Sequence, residues 1–179
     1  MRSIRLFCAF VLLLAAQPLL AAKDGGACNT PAHRQFDFFA GDWDAYDAQA
    51  PGKPVARNEV AVVLDGCVIH EDYRQEDGLH GESYSLYDSA HKTWHQSWVT
   101  NRGELLLLDG GMQGNRMAFS GEQRTEDGKP SLLRAVWYRQ GENVRETATR
   151  SLDGGKTWQP VFDMIFKPHP GASVNAPRH

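Results

Sequence analysis

Tight-turn signals recur along this chain at short intervals and leave little room for helices. From Phe36 to Lys167, runs of β-branched, apolar and aromatic residues alternate with pairs such as Asp-Gly and Gly-Gly. Such pairs supply the positive-φ residues that two-residue hairpins need. About ten residues separate successive signals, which is the spacing of an all-β sandwich or barrel. The signals are Asp65-Gly66, Asp77-Gly78, Asp109-Gly110-Gly111, Gln113-Gly114-Asn115, Asp127-Gly128, Gln140-Gly141 and Asp153-Gly154-Gly155.

The runs between these signals are predicted strands, and the links between them have hairpin length. Short links make successive strands antiparallel neighbours. A meander of this kind avoids exposed edges most simply by closing on itself. We therefore predict an all-β fold, a single antiparallel up-and-down barrel of about 8–10 strands. The predicted runs are Phe36–Ala48, Asn58–Arg74 bent at Asp65-Gly66, Gly81–Tyr87, Thr93–Thr100, Glu104–Leu108, Arg116–Gly121, Ser131–Tyr138, Val144–Arg150 and Thr157–Phe166.

The first 22 residues have the pattern of a secretory signal peptide. Arg2 and Arg5 precede an apolar stretch, and cleavage is expected after Ala22, with a retained N-terminal anchor as the alternative. We expect an N-terminal arm over 23–35, the β-barrel domain over 36–167 and a disordered tail over 168–179. The mature chain is expected to be soluble, exported to the periplasm or secreted, with no membrane span after signal cleavage.

Charge argues against two classes of partner. Cleavage would remove two arginines and no acidic residue, so the formal net charge would move from −3 to −5. A mildly acidic protein without a basic cluster is poorly suited to nucleic acid or to anionic membranes.

Cysteine usage is compatible with export. Cys8 would leave with the signal peptide, so Cys28 and Cys67 would remain in an oxidising compartment. A disulfide between them would fasten the arm to the second predicted strand, and two unpaired thiols are the alternative.

Five segments resemble a family of small exported bacterial proteins of unknown function. In chain order these are 36–43 (FDFFAGDW), 66–71 (GCVIHE), 81–83 (GES), 94–99 (WHQSWV) and 151–158 (SLDGGKTW). The family looks like a calycin-type, or lipocalin-like, β-barrel. The resemblance implies a fold and a compartment, but no reaction, ligand or catalytic residue. The sequence departs from the family pattern at Val99-Thr100, where an aspartate is expected after the valine.

The segment from Ser151 to Trp158 also matches the Asp-box of propeller proteins. In that motif an Asp side chain binds turn amides, glycine takes a positive φ, and Trp packs beneath. Propellers repeat the motif in every blade, whereas this chain has one copy. We interpret it as a structural hairpin.

The sequence contains no strong metal or nucleophile motif. His91 and His95 would lie about 13 Å apart on a strand, too far to share an ion. No cysteine and histidine cluster has zinc spacing, and no Gly-x-Ser-x-Gly, P-loop or dinucleotide motif is present. We expect no metal and no cofactor, with haem ligation by one histidine as a minor alternative.

A candidate ligand site consists of Glu71, Gln96, Trp98 and Arg134, with Trp43 closing one end of the barrel. If the four face inward, they form an aromatic pocket with a few polar groups, which suits a small amphipathic molecule. The alternative is that Glu71 and Arg134 form an internal ion pair. A carboxylate pair such as Glu71 with Glu82 could also lie inside the barrel and do acid–base work.

Three functions remain open from the sequence. The first is a barrel that binds a small lipophilic or amphipathic molecule. The second is an enzyme on the same barrel with Glu71 or His95 as acid–base. The third is an envelope protein that acts through surface contacts around a filled core. A cavity above roughly 300 Å³ would favour the first two.

Overall fold

The structure is a computed structural model and describes residues 26–171. Nearly all of this range is β-structure, and ten antiparallel strands form one closed barrel, as predicted. Each strand pairs with its neighbours in the sequence, and the first and last strands close the ring. The strands are β1 (Gly41–Asp47), β2 (Ala56–Val63), β3 (Val68–Gln75), β4 (His80–Asp88), β5 (Thr93–Thr100), β6 (Leu105–Gln113), β7 (Arg116–Arg124), β8 (Pro130–Gln140), β9 (Asn143–Ser151) and β10 (Gln159–Pro168).

The up-and-down topology gives the barrel two different ends. We call the end with the β2–β3, β4–β5, β6–β7 and β8–β9 turns the floor, and the opposite end the mouth. The predicted signal peptide, residues 1–22, and the end of the predicted tail, residues 172–179, lie outside the described residues. His169 lies within them, and its ring Nδ1 is 2.8 Å from Oδ1 of Asp44 on β1.

The N-terminal arm closes the floor. Two short 3-10 helices, Pro31–Arg34 and Asp37–Phe39, lead into β1. Phe36 is fully buried and contacts the rings of Trp94, Phe119 and Trp137 at centroid distances of 5.6 to 5.9 Å. Phe39 stacks on Phe36. Phe36 and Phe39 together form an aromatic plug, which belongs to the hydrophobic core at this end of the barrel.

Three local predictions were wrong. The segment from Phe36 to Phe39 is 3-10 turn rather than strand, because its aromatic side chains turn together into the floor. The predicted bent strand 58–74 is two strands, since Leu64 and Asp65 take positive φ and make a complete turn. Asp109-Gly110-Gly111 is not a turn but part of β6. A Cβ on Gly110 would lie 1.9 Å from the Ala118 carbonyl oxygen, so glycine is needed for close strand contact.

A disulfide joins Cys28 to Cys67, which confirms the predicted pairing. It connects the arm to the β2–β3 turn at the floor. Arg34 reinforces this connection, because its guanidinium donates hydrogen bonds to the backbone carbonyls of Cys28 and Gly66. The plug is thus fastened covalently to the barrel.

The Asp-box segment is a structural hairpin between β9 and β10. The Asp153 carboxylate accepts hydrogen bonds from the amides of Lys156 and Thr157 and from the Thr157 hydroxyl. These donors lower the pKa of Asp153 to about 2. The Trp158 indole N–H donates to the Gly155 carbonyl at 3.0 Å.

Within residues 26–171, no helix has the length and apolar character needed to cross a bilayer.

Candidate functional site

The barrel encloses a cavity of about 360 Å³ that opens towards the mouth. Its wall is mostly aromatic and aliphatic, with a small number of polar side chains. Small-molecule sites have this composition, and their volumes start at about 300 Å³. The lining residues are Glu71, Tyr73, Gln75, Leu79, Gln96, Trp98, Glu104, Leu106, Leu108, Leu133, Ala135, Trp137, Glu146, Ala148, Phe162, Met164 and Phe166.

Glu71 is a buried carboxyl with two hydrogen-bond donors. Residue alternation on β3 turns it inward, and it is 5% exposed. The Asn58 amide donates to Oε1 at 2.9 Å, and the Ser83 hydroxyl donates to Oε2 at 2.8 Å. Burial raises the pKa of Glu71, while these two donors and the nearby His70 oppose the rise. The donors therefore stabilise the ionised form of this carboxyl.

Glu146 is the second carboxyl in the cavity wall, and its side chain is half-buried. It lies on β9, beside Trp137 on β8 and Met164 on β10. Burial raises the pKa of Glu146 well above its usual value, the charge of Glu71 raises it further, and the Trp137 indole opposes the rise. That indole N–H makes no hydrogen bond of normal geometry within residues 26–171. Because Glu71 has two well-placed donors and Glu146 does not, Glu146 is the carboxyl of the pair that keeps a proton more readily.

The two carboxyls face each other across the lumen. Strands β3 and β9 are separated around the ring by β2, β1 and β10. Tyr73, one inward position beyond Glu71, meets Trp98 edge to face at 6.0 Å between ring centroids. Burial also raises the pKa of Tyr73, so its hydroxyl stays neutral. The cavity thus combines two carboxyls with several aromatic faces.

Three of the five predicted ligand-binding residues line the cavity. These are Glu71, Gln96 and Trp98. Gln96 is 4% exposed and its amide lies 3.5 Å from the Ser83 hydroxyl, so it extends the polar network around Glu71. Gly81 makes room for Trp98, since a Cβ there would lie 2.2 Å from the indole ring.

The other two predicted residues lie elsewhere. Arg134 is exposed on the outer face of β8, where its guanidinium lies 4.3 Å from the centre of the Trp158 ring. The alternative of an internal ion pair with Glu71 is therefore not what the structure shows. Trp43 is buried beside the floor, and its indole N–H donates to the Phe39 carbonyl at 2.9 Å. It packs in the core below the cavity and does not line it.

The other two predicted acid–base residues, Glu82 and His95, also face outward. Glu82 accepts a hydrogen bond from the Tyr84 hydroxyl and lies 3.2 Å from the His70 ring. His95 pairs with Asp109 on the barrel surface. The second interior carboxyl is Glu146, which sequence reasoning missed. Alternation was the available signal, because Val144, Glu146 and Ala148 share one face of the predicted strand and Ala148 is small and apolar.

A group of possible metal ligands lies on the outer face. Asp72, His80 and Glu82 each place one ligand atom within 4.8 Å of the others. Arg74 already holds Asp72 through two hydrogen bonds of 2.9 and 2.6 Å. A metal ion would have to displace this guanidinium, so the group is best described as a surface ion-pair network. The absence of a metal cofactor stays a prediction.

Comparison with known protein families found no family model that matches the chain, and comparison with curated proteins found no significant match. The barrel is consistent with a calycin-like fold. Membership of the family of small exported bacterial proteins stays a prediction.

Proposed function

We propose that this protein is an exported barrel that binds a small amphipathic molecule inside its lumen. The observation that carries the proposal is the cavity of about 360 Å³, closed at one end by the aromatic plug and open at the other. A filled barrel acting only through surface contacts needs no such space. The mixture of apolar wall and a few polar groups suits a ligand with one polar end.

Export is supported by the disulfide, because such bonds persist in oxidising compartments. The predicted signal peptide points to the same compartment. We include periplasmic or secreted location in the proposal on these two grounds.

The proposal is tested by native mass spectrometry of the protein purified from an exporting host. We expect an additional mass of a few hundred daltons at most, given the cavity volume. Ala148→Leu fills space at the cavity wall and should abolish the adduct, whereas Thr149→Leu, at the next, outward-facing position of β9, should retain it. An adduct that is equally present in both variants would contradict binding in the lumen.

An enzyme on the same barrel is the second candidate. The observation that favours it is the carboxyl pair, because two acids whose environments separate their pKa values are a common acid–base arrangement. Glu146 would then act as the general acid and Glu71 as the general base. Incubation of the recovered ligand with the protein, followed by mass analysis, distinguishes the two: a binding protein returns the molecule unchanged, and an enzyme returns a product.

A further inference from the structure

The cavity has an unusual charge composition. Three of its lining residues carry carboxyl groups, namely Glu71, Glu146 and Glu104. No lysine, arginine or histidine is among the lining residues. Buried charges in proteins are normally paired or neutralised, because an isolated charge costs far more in a low-dielectric site than in water. The described cavity wall contains no cation that could do this.

We propose that the ligand is a small organic cation, a protonated amine or guanidinium on an apolar body, held between Glu71 and Glu146. This inference rests on the proposed binding function and specifies the class of molecule. The cation would lie between the carboxyls of β3 and β9, and its apolar body would contact the aromatic wall.

The arrangement of donors and acceptors supports a cation. The oxygens of Glu71 are already bound to Asn58 and Ser83, so this carboxylate is held in place before a ligand arrives. Glu146 lines the cavity, and the Trp137 indole that acts on it makes no hydrogen bond of normal geometry within residues 26–171. One carboxyl is thus fixed, and the other keeps its acceptor atoms free for a ligand N–H.

The aromatic wall of the cavity also favours a cationic ligand. Tyr73, Trp98 and Trp137 present rings to the cavity, and Phe162 lies near the mouth. Ring faces attract cations, and the attraction is stronger when the site is desolvated. An anionic ligand such as a fatty acid would instead meet two carboxyls and no compensating base in the cavity wall.

Entry of a cation would release a proton. Of the two carboxyls Glu146 keeps a proton more readily, and an ammonium group beside it favours the ionised form, so a proton held there would be released to solvent. The other titratable groups that face the cavity are Tyr73, which stays neutral, and Glu104, which is exposed at the mouth. The strands on either side of Glu146 present Trp137 and Met164, which do not titrate. On the outer side of the barrel wall, His70 is the group whose positive charge, when it is protonated, lowers the pKa of Glu71.

The test uses three matched probes: 2-phenylethylamine, 2-phenylethanol and phenylacetate. Binding is followed by calorimetry and by fluorescence of the cavity tryptophans at pH 6, 7 and 8, where the amine remains protonated. We expect the amine to bind at least about tenfold more tightly than the alcohol, with affinity rising by up to about tenfold per pH unit as one proton is released. Phenylacetate should not bind.

Two variants test whether Glu146 causes the pH dependence of amine binding. Glu146→Gln should remove the pH dependence and weaken the preference for the amine, because Glu71 remains, while leaving alcohol binding in place. Glu142→Gln changes an exposed carboxyl in the adjacent β8–β9 turn and should behave as the wild type. An alcohol that binds as tightly as the amine would overturn the cation inference and leave the binding function standing. Failure of all three probes to bind would overturn the cation inference, whereas the binding function is decided by the adduct mass in the native mass spectrum.

Discussion

The disulfide that fastens the aromatic plug gives a prediction whose size follows from the structure. Cys28 and Cys67 are separated by 39 positions. Closing a loop of that length in the unfolded chain removes entropy worth about 4 kcal/mol at 25 °C in the chain-entropy treatment. Both cysteines are only partly buried, so a double Cys28→Ser/Cys67→Ser variant loses little packing in addition. We therefore expect the variant to be about 4 kcal/mol less stable than the wild type.

Thermal unfolding followed by circular dichroism measures this loss. For a domain of this size, about 1 kcal/mol corresponds to roughly 2–4 °C in Tm, so a decrease of about 8–16 °C is expected. Wild-type protein unfolded in the presence of reductant should match the double variant, and the double variant should not respond to reductant. A variant with the wild-type Tm would refute the loop-entropy reasoning. It would mean that Arg34 and the aromatic contacts alone hold the arm in place.

Three further predictions concern the plug, the carboxyl pair and the Asp-box hairpin. Phe36→Ala should cost about 3–5 kcal/mol in urea unfolding, since the ring is fully buried. Phe162→Ala, at a position 39% exposed, should cost much less. Because folding raises the pKa of Glu146, the stability of the wild type should fall as the pH rises through the pKa of the folded protein. The Glu146→Gln variant should lack this fall, so it should be more stable than the wild type at pH 8 but not at pH 4. Folding lowers the pKa of Asp153, so the stability that its carboxylate contributes to the hairpin is present above pH 3.8 and is lost towards about pH 2. Amide exchange at Thr157 should therefore accelerate as the pH falls through that window. An exchange rate without this acceleration would contradict the role given to Asp153.

The cation inference and the pH dependence of stability have the same physical origin. A buried carboxyl that holds a proton in the free protein becomes charged only when something compensates the cost of desolvation. In the Glu146 site that compensation would come from a ligand cation. Stability and affinity should therefore change with pH in opposite directions: the free protein weakens as Glu146 ionises, and binding of the amine strengthens.

Local sequence patterns were sufficient to predict the barrel fold. Gly78, Gly128 and Gly141 all lie in turns between consecutive strands and have positive φ, because the conformation that a tight turn needs is a local requirement. The same applies to the hairpin around Asp153, whose hydrogen bonds span only four residues. Strand pairing followed from short links, and closure followed from the need to pair the two edge strands.

Local pattern failed where a residue's role depends on distant parts of the chain. The sequence pattern predicts a turn at Gly110, but glycine is needed there because the backbone of β7 approaches it too closely for a Cβ atom. Phe36 reads as a strand residue, but it belongs to a plug formed by contacts with β5, β7 and β8. The deciding contact is with the next strand for Gly110 and with three strands much further along the chain for Phe36.

The sequence by itself determined the strand order, the disulfide partners and the presence of Glu71, Gln96 and Trp98 as candidates, since each depends on spacing, alternation or cysteine number. Only the tertiary structure decided that Arg134 and Glu82 face outward and that Glu146 faces Glu71. Alternation assigns two faces to a strand but does not say which face is inside. Closure of the barrel makes that choice, because it turns one face of every strand towards a common lumen and so brings together carboxyls that are 75 residues apart in the chain.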